Sequence, residues 1–199
     1  MERLPVMEHY YTIQGEGYNA GKAAYFIRLG GCDVGCVWCD VKESWEAGKH
    51  ALESVEQITQ WVLESKATYA VITGGEPLMY DLGELCESLR KSGIKLFLET
   101  SGAYPLSGKW DWICVSPKKF KPPVEEILRE AHELKVIVFN KSDFDWGLQH
   151  AGKVEKSCKL FLQPEYSVSA KVLPLMIDFV KDHPEWRISL QTHKFMQIP

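Results

Sequence analysis

Short apolar runs alternate with amphipathic segments along nearly all of the 199 residues, and this alternation restricts the fold more than any other feature. The apolar runs have the length of buried β-strands, whereas the segments between them have helical spacing. We predict strands at 23–29, 69–73, 94–98, 113–115, 134–138, 160–162 and 188–190. Strand, crossover and strand, repeated this often, indicate a parallel sheet with right-handed connections.

The predicted helices are few for so many strands. Ser54-Val-Glu-Gln57 is typical of a capping box that opens one helix, and Asp81 to Glu84 opens a second, which Gly93 ends. Further helical segments lie near 124–131 and 170–181, whereas 101–110 is too broken for a full helix. We therefore expect one domain spanning 1–199, a partial, open (β/α) barrel of parallel strands with reduced helical covering.

Composition narrows the class of protein. A chain that is 45% hydrophobic can bury one sizeable core, and a net charge of −4 argues against nucleic-acid binding. No apolar stretch reaches the roughly 18 residues that span a bilayer. Six irregularly spaced cysteines do not form a disulfide framework, so we expect a reduced, cytoplasmic protein. Three cysteines in apolar surroundings are predicted to be core residues: Cys86, Cys114 and Cys158.

The other three cysteines form a dense cluster. Cys32, Cys36 and Cys39 are spaced Cys-x3-Cys-x2-Cys on one predicted loop. Three thiolates on a cubane iron–sulfur cluster leave one iron with an open position, where chemistry takes place. A structural zinc site with a fourth ligand such as His50 or Cys158 is the alternative. The spacing alone favours the cluster.

Four polar, turn-prone motifs follow predicted strands. They are Thr73-Gly-Gly-Glu-Pro77, Glu99-Thr-Ser-Gly102, Ser116-Pro-Lys118 and Gln163-Pro-Glu165. Paired glycines let backbone N–H groups approach a ligand closely, although each motif by itself is also ordinary turn chemistry. Ligands bind at the carboxyl ends of parallel strands, so we expect these motifs to share one rim with the cysteine loop.

The cysteine loop and the Gly74-Gly75 motif resemble the signature of the radical S-adenosylmethionine (SAM) superfamily. The resemblance implies a [4Fe-4S] cluster on Cys32, Cys36 and Cys39, with SAM on the open iron, cleaved to a 5′-deoxyadenosyl radical. It also implies a set of SAM-contacting residues: Trp38, Cys39, Asp40, Gly74, Gly75, Glu76, Glu99, Ser116, Pro117, Lys118, Gln163, Pro164, Glu165 and Tyr166.

Two segments outside the predicted sheet make the resemblance specific to one family of this superfamily. Gln14-Gly-Glu-Gly17 precedes the first predicted strand, and Gln191-Thr-His-Lys194 lies near the last residue. Together with the rim motifs they resemble the 7-carboxy-7-deazaguanine synthase family of queuosine biosynthesis. The resemblance implies conversion of 6-carboxy-5,6,7,8-tetrahydropterin to 7-carboxy-7-deazaguanine with loss of ammonia, the radical taking hydrogen from C6 and SAM being regenerated. It further implies an electron donor such as flavodoxin or ferredoxin, and a homodimer.

The segments at about 8–22 and 191–199 are expected to complete the substrate pocket. Glu16 suits the donor groups of a pterin, and Arg28 suits the substrate carboxylate through a two-point contact. His193 is the candidate proton carrier, and Pro199 is expected to place a carboxylate in the pocket. The full set of expected substrate contacts is Ile13, Gln14, Gly15, Glu16, Arg28, Thr73, Gln191, His193 and Pro199.

One position departs from the family. Many relatives carry a threonine two residues after the last cluster cysteine as a Mg2+ ligand, whereas this chain has Val41. Valine offers no oxygen to Mg2+, so water, Ser44 or no ion at all remain the alternatives. Two other functions also remain open, namely a glycyl-radical activating enzyme and a zinc-stabilised binding module without catalysis.

Overall fold

The computed structural model describes residues 3–199, and within them nine strands form one sheet in the order β3-β1-β2-β4-β5-β6-β7-β8-β9. The strands are β1 (Arg3–Ile13), β2 (Ala23–Leu29), β3 (Ala51–Ser54), β4 (Tyr69–Gly74), β5 (Lys95–Thr100), β6 (Trp112–Val115), β7 (Glu133–Val138), β8 (Lys159–Pro164) and β9 (Trp186–Ile188). The helices are α1 (Val55–Glu64), α2 (Gly83–Lys91), α3 (Glu125–Glu130), α4 (Ser142–Ala151), α5 (Ser169–Asp182) and α6 (Thr192–Met196).

Neighbouring strands from β2 to β9 pair in parallel, as the alternation predicted. The sheet does not close, because β3 and β9 form its two edges. The open, partial barrel is thus confirmed. At the β3 edge the pairing changes, since β1 runs antiparallel to both β2 and β3.

The helices cover the outer face of the sheet and bury the main core. In α1 the apolar residues Val55, Ile58 and Val62 face inward, and the Oγ of Ser54 accepts a hydrogen bond from the N–H of Gln57 at 3.2 Å. This is the predicted N-cap, a type of bond that contributes about 1 kcal/mol to helix stability. Beyond α2, the φ of Gly93 is +80°, the left-handed conformation predicted for a helix end.

Successive residues of each strand alternate between the two faces. In β7, Leu134, Val136 and Val138 belong to the core under the helices, whereas Lys135 and Ile137 line the concave face. The lower part of that concave face is filled by a small apolar cluster of buried side chains: Ala24, Val71 and Phe97. Polar side chains are therefore concentrated in its upper part, at the carboxyl ends of the strands.

The cysteines outside the loop behave as predicted. Cys86, Cys114 and Cys158 are each less than one-tenth exposed. Burial raises the pKa of the Cys86 and Cys158 thiols to about 12, so both are neutral core groups. In the part of the chain that the structure describes, no helix combines the length and apolar character needed to cross a membrane.

Candidate active site

A cavity of about 280 Å³ opens at the carboxyl ends of the parallel strands. Its wall brings together the cysteine loop, the four rim motifs and both outer segments. The predicted site residues that line it are Ile13, Gln14, Gly15, Glu16, Arg28, Cys32, Cys36, Trp38, Cys39, Asp40, Thr73, Gly74, Gly75, Glu99, Ser116, Lys118, Gln163, Pro164, Glu165, Tyr166, Gln191, His193 and Pro199. Residues far apart in sequence thus share one pocket.

Two predicted contacts, Glu76 and Pro117, are not part of the cavity wall. Glu76 is fully buried behind it, where its carboxylate accepts bonds from the Thr100 hydroxyl at 2.6 Å and from the Ser101 N–H at 2.8 Å. Thr100 and Ser101 themselves line the cavity. Glu76 therefore supports the wall, and the carbonyl of Pro117 accepts a bond from the indole of Trp146.

The cysteine loop lies against the turn that follows β4. Cys36 packs with Val34 and Ala103, and Cys32 and Cys39 border this cluster. A Cβ atom on Gly75 would lie 2.4 Å from the carbonyl oxygen of Gly31 and 2.7 Å from the Cβ of Cys32. Only glycine permits this close approach of the two loops.

The three thiols fit a cluster that takes one thiolate per iron. Burial raises the pKa of the Cys32 thiol, and that of Cys36 to about 11, so buried thiolates here call for a cationic partner. Across residues 3–199 no group of three His, Cys, Asp or Glu side chains is gathered closely enough to chelate a single ion. A polynuclear cluster binds each thiolate to a different iron, so its three thiolates need not meet at one ion.

Four polar side chains, of which Gln14 and Lys135 are buried and Glu16 and Glu99 partly exposed, form a connected group at the bottom of the cavity. The Lys135 ammonium lies 2.5 Å from Glu16 Oε2 and 3.0 Å from Glu99 Oε2. Gln14 donates from Nε2 to Glu99 Oε1 at 2.7 Å and accepts at Oε1 from the Glu16 N–H at 3.1 Å. The side chain of Gln14 thus makes its hydrogen bonds within the protein. Glu16 and Glu99, in contrast, retain lone pairs that can accept hydrogen bonds from a ligand in the cavity.

Electrostatics keep Glu16 ionised. Burial alone would raise its pKa, but the charge and hydrogen bond of Lys135, with bonds from Gln191 and Gln163, lower the pKa to about 2. Lys135 stays charged for the same reason: burial opposes its charge, yet Glu16 and Glu99 raise its pKa well above the ordinary value. Glu16 is therefore an acceptor-only carboxylate at the base of the cavity.

Arg28 projects into the cavity from β2. Its Nε donates to Glu8 Oε1 at 2.6 Å, and its Nη1 lies 3.5 Å from the carbonyl oxygen of Gly74. Burial opposes the charge, but Glu8 and Tyr10 raise the pKa of Arg28. The side chain of Arg28 is 19% exposed, so part of its guanidinium, which Glu8 holds in place, is accessible to a ligand in the cavity.

The last segment of the chain docks beside the loop that carries Glu16. The N–H of Thr192 donates to the Gly15 carbonyl at 2.9 Å, and a Cβ on Gly15 would lie only 2.3 Å from His193 Nδ1. Burial lowers the pKa of His193, which leaves its imidazole neutral near pH 7. The carbonyl oxygen of Pro199 lies 3.5 Å from the Thr12 hydroxyl.

On the opposite rim, Lys118 and Tyr166 line the cavity mouth. Lys118 Nζ donates to the carbonyl and hydroxyl oxygens of Ser116 and lies 5.8 Å from the centroid of the Trp38 ring. Burial lowers the pKa of Lys118. Lys194 Nζ lies 4.0 Å from the Tyr166 ring centroid and 3.7 Å from Asp40 Oδ2, so it joins three loops around the mouth.

The position expected to hold Mg2+ has no oxygen in its side chain. Val41 lines the cavity without an oxygen, and the buried Ser44 uses its hydroxyl proton on the Val41 carbonyl at 2.7 Å. Asp40, the adjacent carboxylate, is paired with Lys194. Mg2+ takes oxygen ligands in near-octahedral geometry and keeps several waters, so at this position the protein offers only the hydroxyl oxygen of Ser44 and the carboxylate of Asp40.

The cavity wall also contains residues outside the predicted motifs and contacts: Tyr10, Phe26, Val34, Trp45, Lys135 and Ile137. Lys135 is the most consequential of them. The sequence does contain an indication of its role, because a lysine interrupts the otherwise apolar strand 134–138. A buried lysine is rare unless it is paired.

The sequence and fold also match known proteins. The sequence model of the Radical SAM superfamily matches residues 26–139. A 7-carboxy-7-deazaguanine synthase from Flavobacterium psychrophilum is 53% identical, over 100% of this chain and 94% of the relative. One from Synechocystis sp. is 46% identical, over 98% and 93%. The crystal structure of QueE from Escherichia coli superposes with a TM-score of 0.85 at 31% identity, covering 94% of this chain and 93% of that one.

These full-length matches contradict the two alternatives that the sequence left open. Neither a glycyl-radical activating enzyme nor a zinc-stabilised module without catalysis agrees with 7-carboxy-7-deazaguanine synthases that are 53% and 46% identical over nearly the whole chain. Superfamily membership also implies a [4Fe-4S] cluster and SAM as cofactors. The chain belongs to the 7-carboxy-7-deazaguanine synthase family of the radical SAM superfamily.

Proposed function

We propose that this enzyme converts 6-carboxy-5,6,7,8-tetrahydropterin to 7-carboxy-7-deazaguanine with loss of ammonia. The observation that carries the proposal is one cavity whose wall combines a three-cysteine loop, a fixed guanidinium and two carboxylates paired with a buried lysine. The 6-carboxy-tetrahydropterin offers a carboxylate at one end and the 2-amino and N3–H donors of the pterin ring at the other. These groups complement Arg28 and Glu16, respectively.

Cys32, Cys36 and Cys39 would hold the cluster, and the Gly74-Gly75 turn beside them would hold the amino group of SAM. When bound, the cluster and SAM supply the 5′-deoxyadenosyl radical that takes the hydrogen from C6, after which SAM is regenerated. Ser116, Lys118 and the segment from Gln163 to Tyr166 lie on the rim where ribose and adenine would be bound. Glu76 acts from behind, by fixing Ser101.

The pterin would lie across the base of the cavity. Arg28 binds its carboxylate, and a charge-assisted bond of this kind contributes roughly 1.5–3 kcal/mol. Glu16 accepts from the 2-amino and N3–H groups, held in place by Lys135 and Gln191. Glu99 was expected to contact SAM, but its bonds to Gln14 and Lys135 favour the pterin side of the cavity.

Loss of ammonia requires proton movement near the substrate, and His193 is the group placed for it. Its imidazole lies against Gly15 and lines the cavity. A neutral imidazole can accept a proton and return it. Ile13, Thr73 and Pro199 complete the proposed contacts from the outer segments and from the end of β4.

Anaerobic turnover tests the proposal directly. Iron and sulfide are reconstituted into the protein, which is then incubated with SAM, a reductant and 6-carboxy-5,6,7,8-tetrahydropterin. We expect 7-carboxy-7-deazaguanine and ammonia in equal amounts, with no net loss of SAM. If the protein binds the cluster and cleaves SAM without forming this product, the proposed substrate is wrong, whereas the radical SAM chemistry of the superfamily still holds.

The electron donor and the assembly state are also proposals. A flavodoxin or ferredoxin would deliver the electron, and each can replace the chemical reductant in the same assay. We propose a homodimer from the family resemblance, and sedimentation of the reconstituted protein measures it.

A further inference from the structure

Lys135 is the one lysine of β7, and it points into the concave face under the substrate cavity. Its side chain is only 4% exposed. The ammonium contacts Glu16 Oε2 at 2.5 Å and Glu99 Oε2 at 3.0 Å, so it joins an outer loop to a central strand. Two carboxylates from different parts of the chain are thereby held side by side.

The second oxygen of each carboxylate is also held. Glu16 Oε1 accepts from Gln191 Nε2 at 2.9 Å, and Glu99 Oε1 accepts from Gln14 Nε2 at 2.7 Å. Amides therefore orient the carboxylates from the sides, while Lys135 holds them from below. Because each ionised carboxylate has about four acceptor sites, both can still accept bonds from a ligand.

The charges of this group depend on the lysine. With Lys135 removed, the two partly buried carboxylates that now share its ammonium would be neighbours without a cation, and neighbouring like charges favour protonation of one of them. A protonated carboxyl group donates as well as accepts. The base of the cavity would then no longer distinguish a ligand donor from a ligand acceptor.

We propose that Lys135 is a positioning residue that fixes Glu16 and Glu99 as hydrogen-bond acceptors and so selects a 2-amino pterin over its 2-oxo counterpart. The inference rests on the proposed function, because it assumes that the pterin edge meets Glu16. A 2-oxo group would place its lone pairs against a carboxylate. Sites built to bind a donor reject an analogue that lacks it far more strongly than an apolar pocket does.

The test compares two stable fluorescent ligands, 6-carboxypterin and 6-carboxylumazine, which differ only in the 2-amino and 2-oxo groups. Both are titrated into the reconstituted, SAM-loaded enzyme, and fluorescence gives each Kd without turnover. We expect the unmodified enzyme to prefer the pterin by about 100-fold or more, as expected for charge-assisted bonds. Lys135→Met should reduce the preference to about tenfold or less, and Lys135→Arg should retain most of it.

Lys153→Met, at an exposed position after α4, is the matched control and should leave both Kd values unchanged. If Lys135→Met fails to fold, Lys135→Gln, which is also uncharged but keeps a polar end beside Glu16 and Glu99, carries the test; it should likewise reduce the preference to about tenfold or less, and full preference in it would overturn the inference. Full preference in a folded Lys135→Met enzyme would overturn the inference. An unmodified enzyme that binds neither ligand would instead refute pterin recognition itself.

Discussion

Arg28 and Glu8 are directly opposite each other on the antiparallel strands β2 and β1, and their side chains form an ion pair with an Nε–Oε1 distance of 2.6 Å. The pair fixes the guanidinium on the cavity wall before any ligand arrives. A preorganised side chain loses less conformational entropy on binding than a free one. In the proposed function, recognition of the substrate carboxylate thus depends on the register of two strands.

Arg28→Lys should raise KM for the tetrahydropterin by about tenfold or more, because an ammonium cannot bond Glu8 and two ligand oxygens in one plane. The SAM cleavage rate without pterin should change little, since we propose that Arg28 contacts the pterin and not SAM. Steady-state kinetics under anaerobic conditions give both quantities. Arg129→Lys, in an exposed pair with Glu125, is the control. An unchanged KM in Arg28→Lys would remove Arg28 from the site.

The cysteines separate into two functional classes. Cys32→Ala, Cys36→Ala and Cys39→Ala should each abolish SAM cleavage, because the cluster would lose one of three protein ligands. Iron content and SAM cleavage measure this loss.

Cys86→Ala and Cys158→Ala are the controls for the cysteine variants. They should keep the cluster and lower the free energy of unfolding by about 1 kcal/mol, the scale for a small buried group. A loop variant with normal SAM cleavage would contradict the assignment of the three ligands.

The strands that were predicted share one property: their apolar side faces the helices. Ala23–Leu29 was predicted with the observed bounds for this reason. Strand β1 was not predicted, because Arg3–Ile13 mixes charged, aromatic and apolar residues without clean alternation, and its stability comes from two antiparallel partners. Pairing across the sheet cannot be seen in a local pattern.

The cavity residues that the sequence predicted lie in recognisable motifs. Those that it missed are brought to the cavity by tertiary packing alone. The cysteine loop and the Gln14-Gly-Glu16 segment were recognisable, and the structure places both on one cavity. Glu76 is part of a recognisable motif but lies behind the wall, because backbone geometry sends its side chain toward Ser101. Lys135 belongs to no motif, and only the arrangement of strands brings it between two glutamates.

The absence of an oxygen on Val41 leads to a metal-ion prediction. We expect that adding Mg2+ or a chelator of divalent ions leaves kcat/KM of the unmodified enzyme nearly unchanged. Val41→Thr would place a hydroxyl on the cavity wall and should make kcat/KM rise with Mg2+. Val41→Ala changes size without adding an oxygen and should show no such response. Strong stimulation of the unmodified enzyme by Mg2+ would mean that other ligands hold the ion.

The buried carboxyl group of Glu133 should make the free energy of unfolding depend on pH. Glu133 is 3% exposed, its Oε2 accepts from the Tyr18 N–H and from the Trp112 indole, and its Oε1 has no partner. Burial, with the nearby charge of Glu99, raises its pKa above the ordinary value of 4.5, although Lys135 opposes the shift. The folded state therefore holds the proton more tightly than the unfolded state does. Its stabilising contribution is complete below pH 4.5 and is lost as the pH rises through the folded-state pKa.

Glu133→Gln keeps an acceptor for both donors but cannot ionise, so it should gain stability relative to the unmodified enzyme as the pH rises. Urea denaturation at about pH 4 and pH 8 measures the free energy of unfolding of both proteins. We expect the difference to move in favour of Glu133→Gln at the higher pH, because only the unmodified protein must then bury a carboxylate or keep it protonated. Glu130→Gln, at an exposed position in α3, should show a much smaller change. A difference that is the same at both pH values would mean that Glu133 titrates alike in the folded and unfolded states.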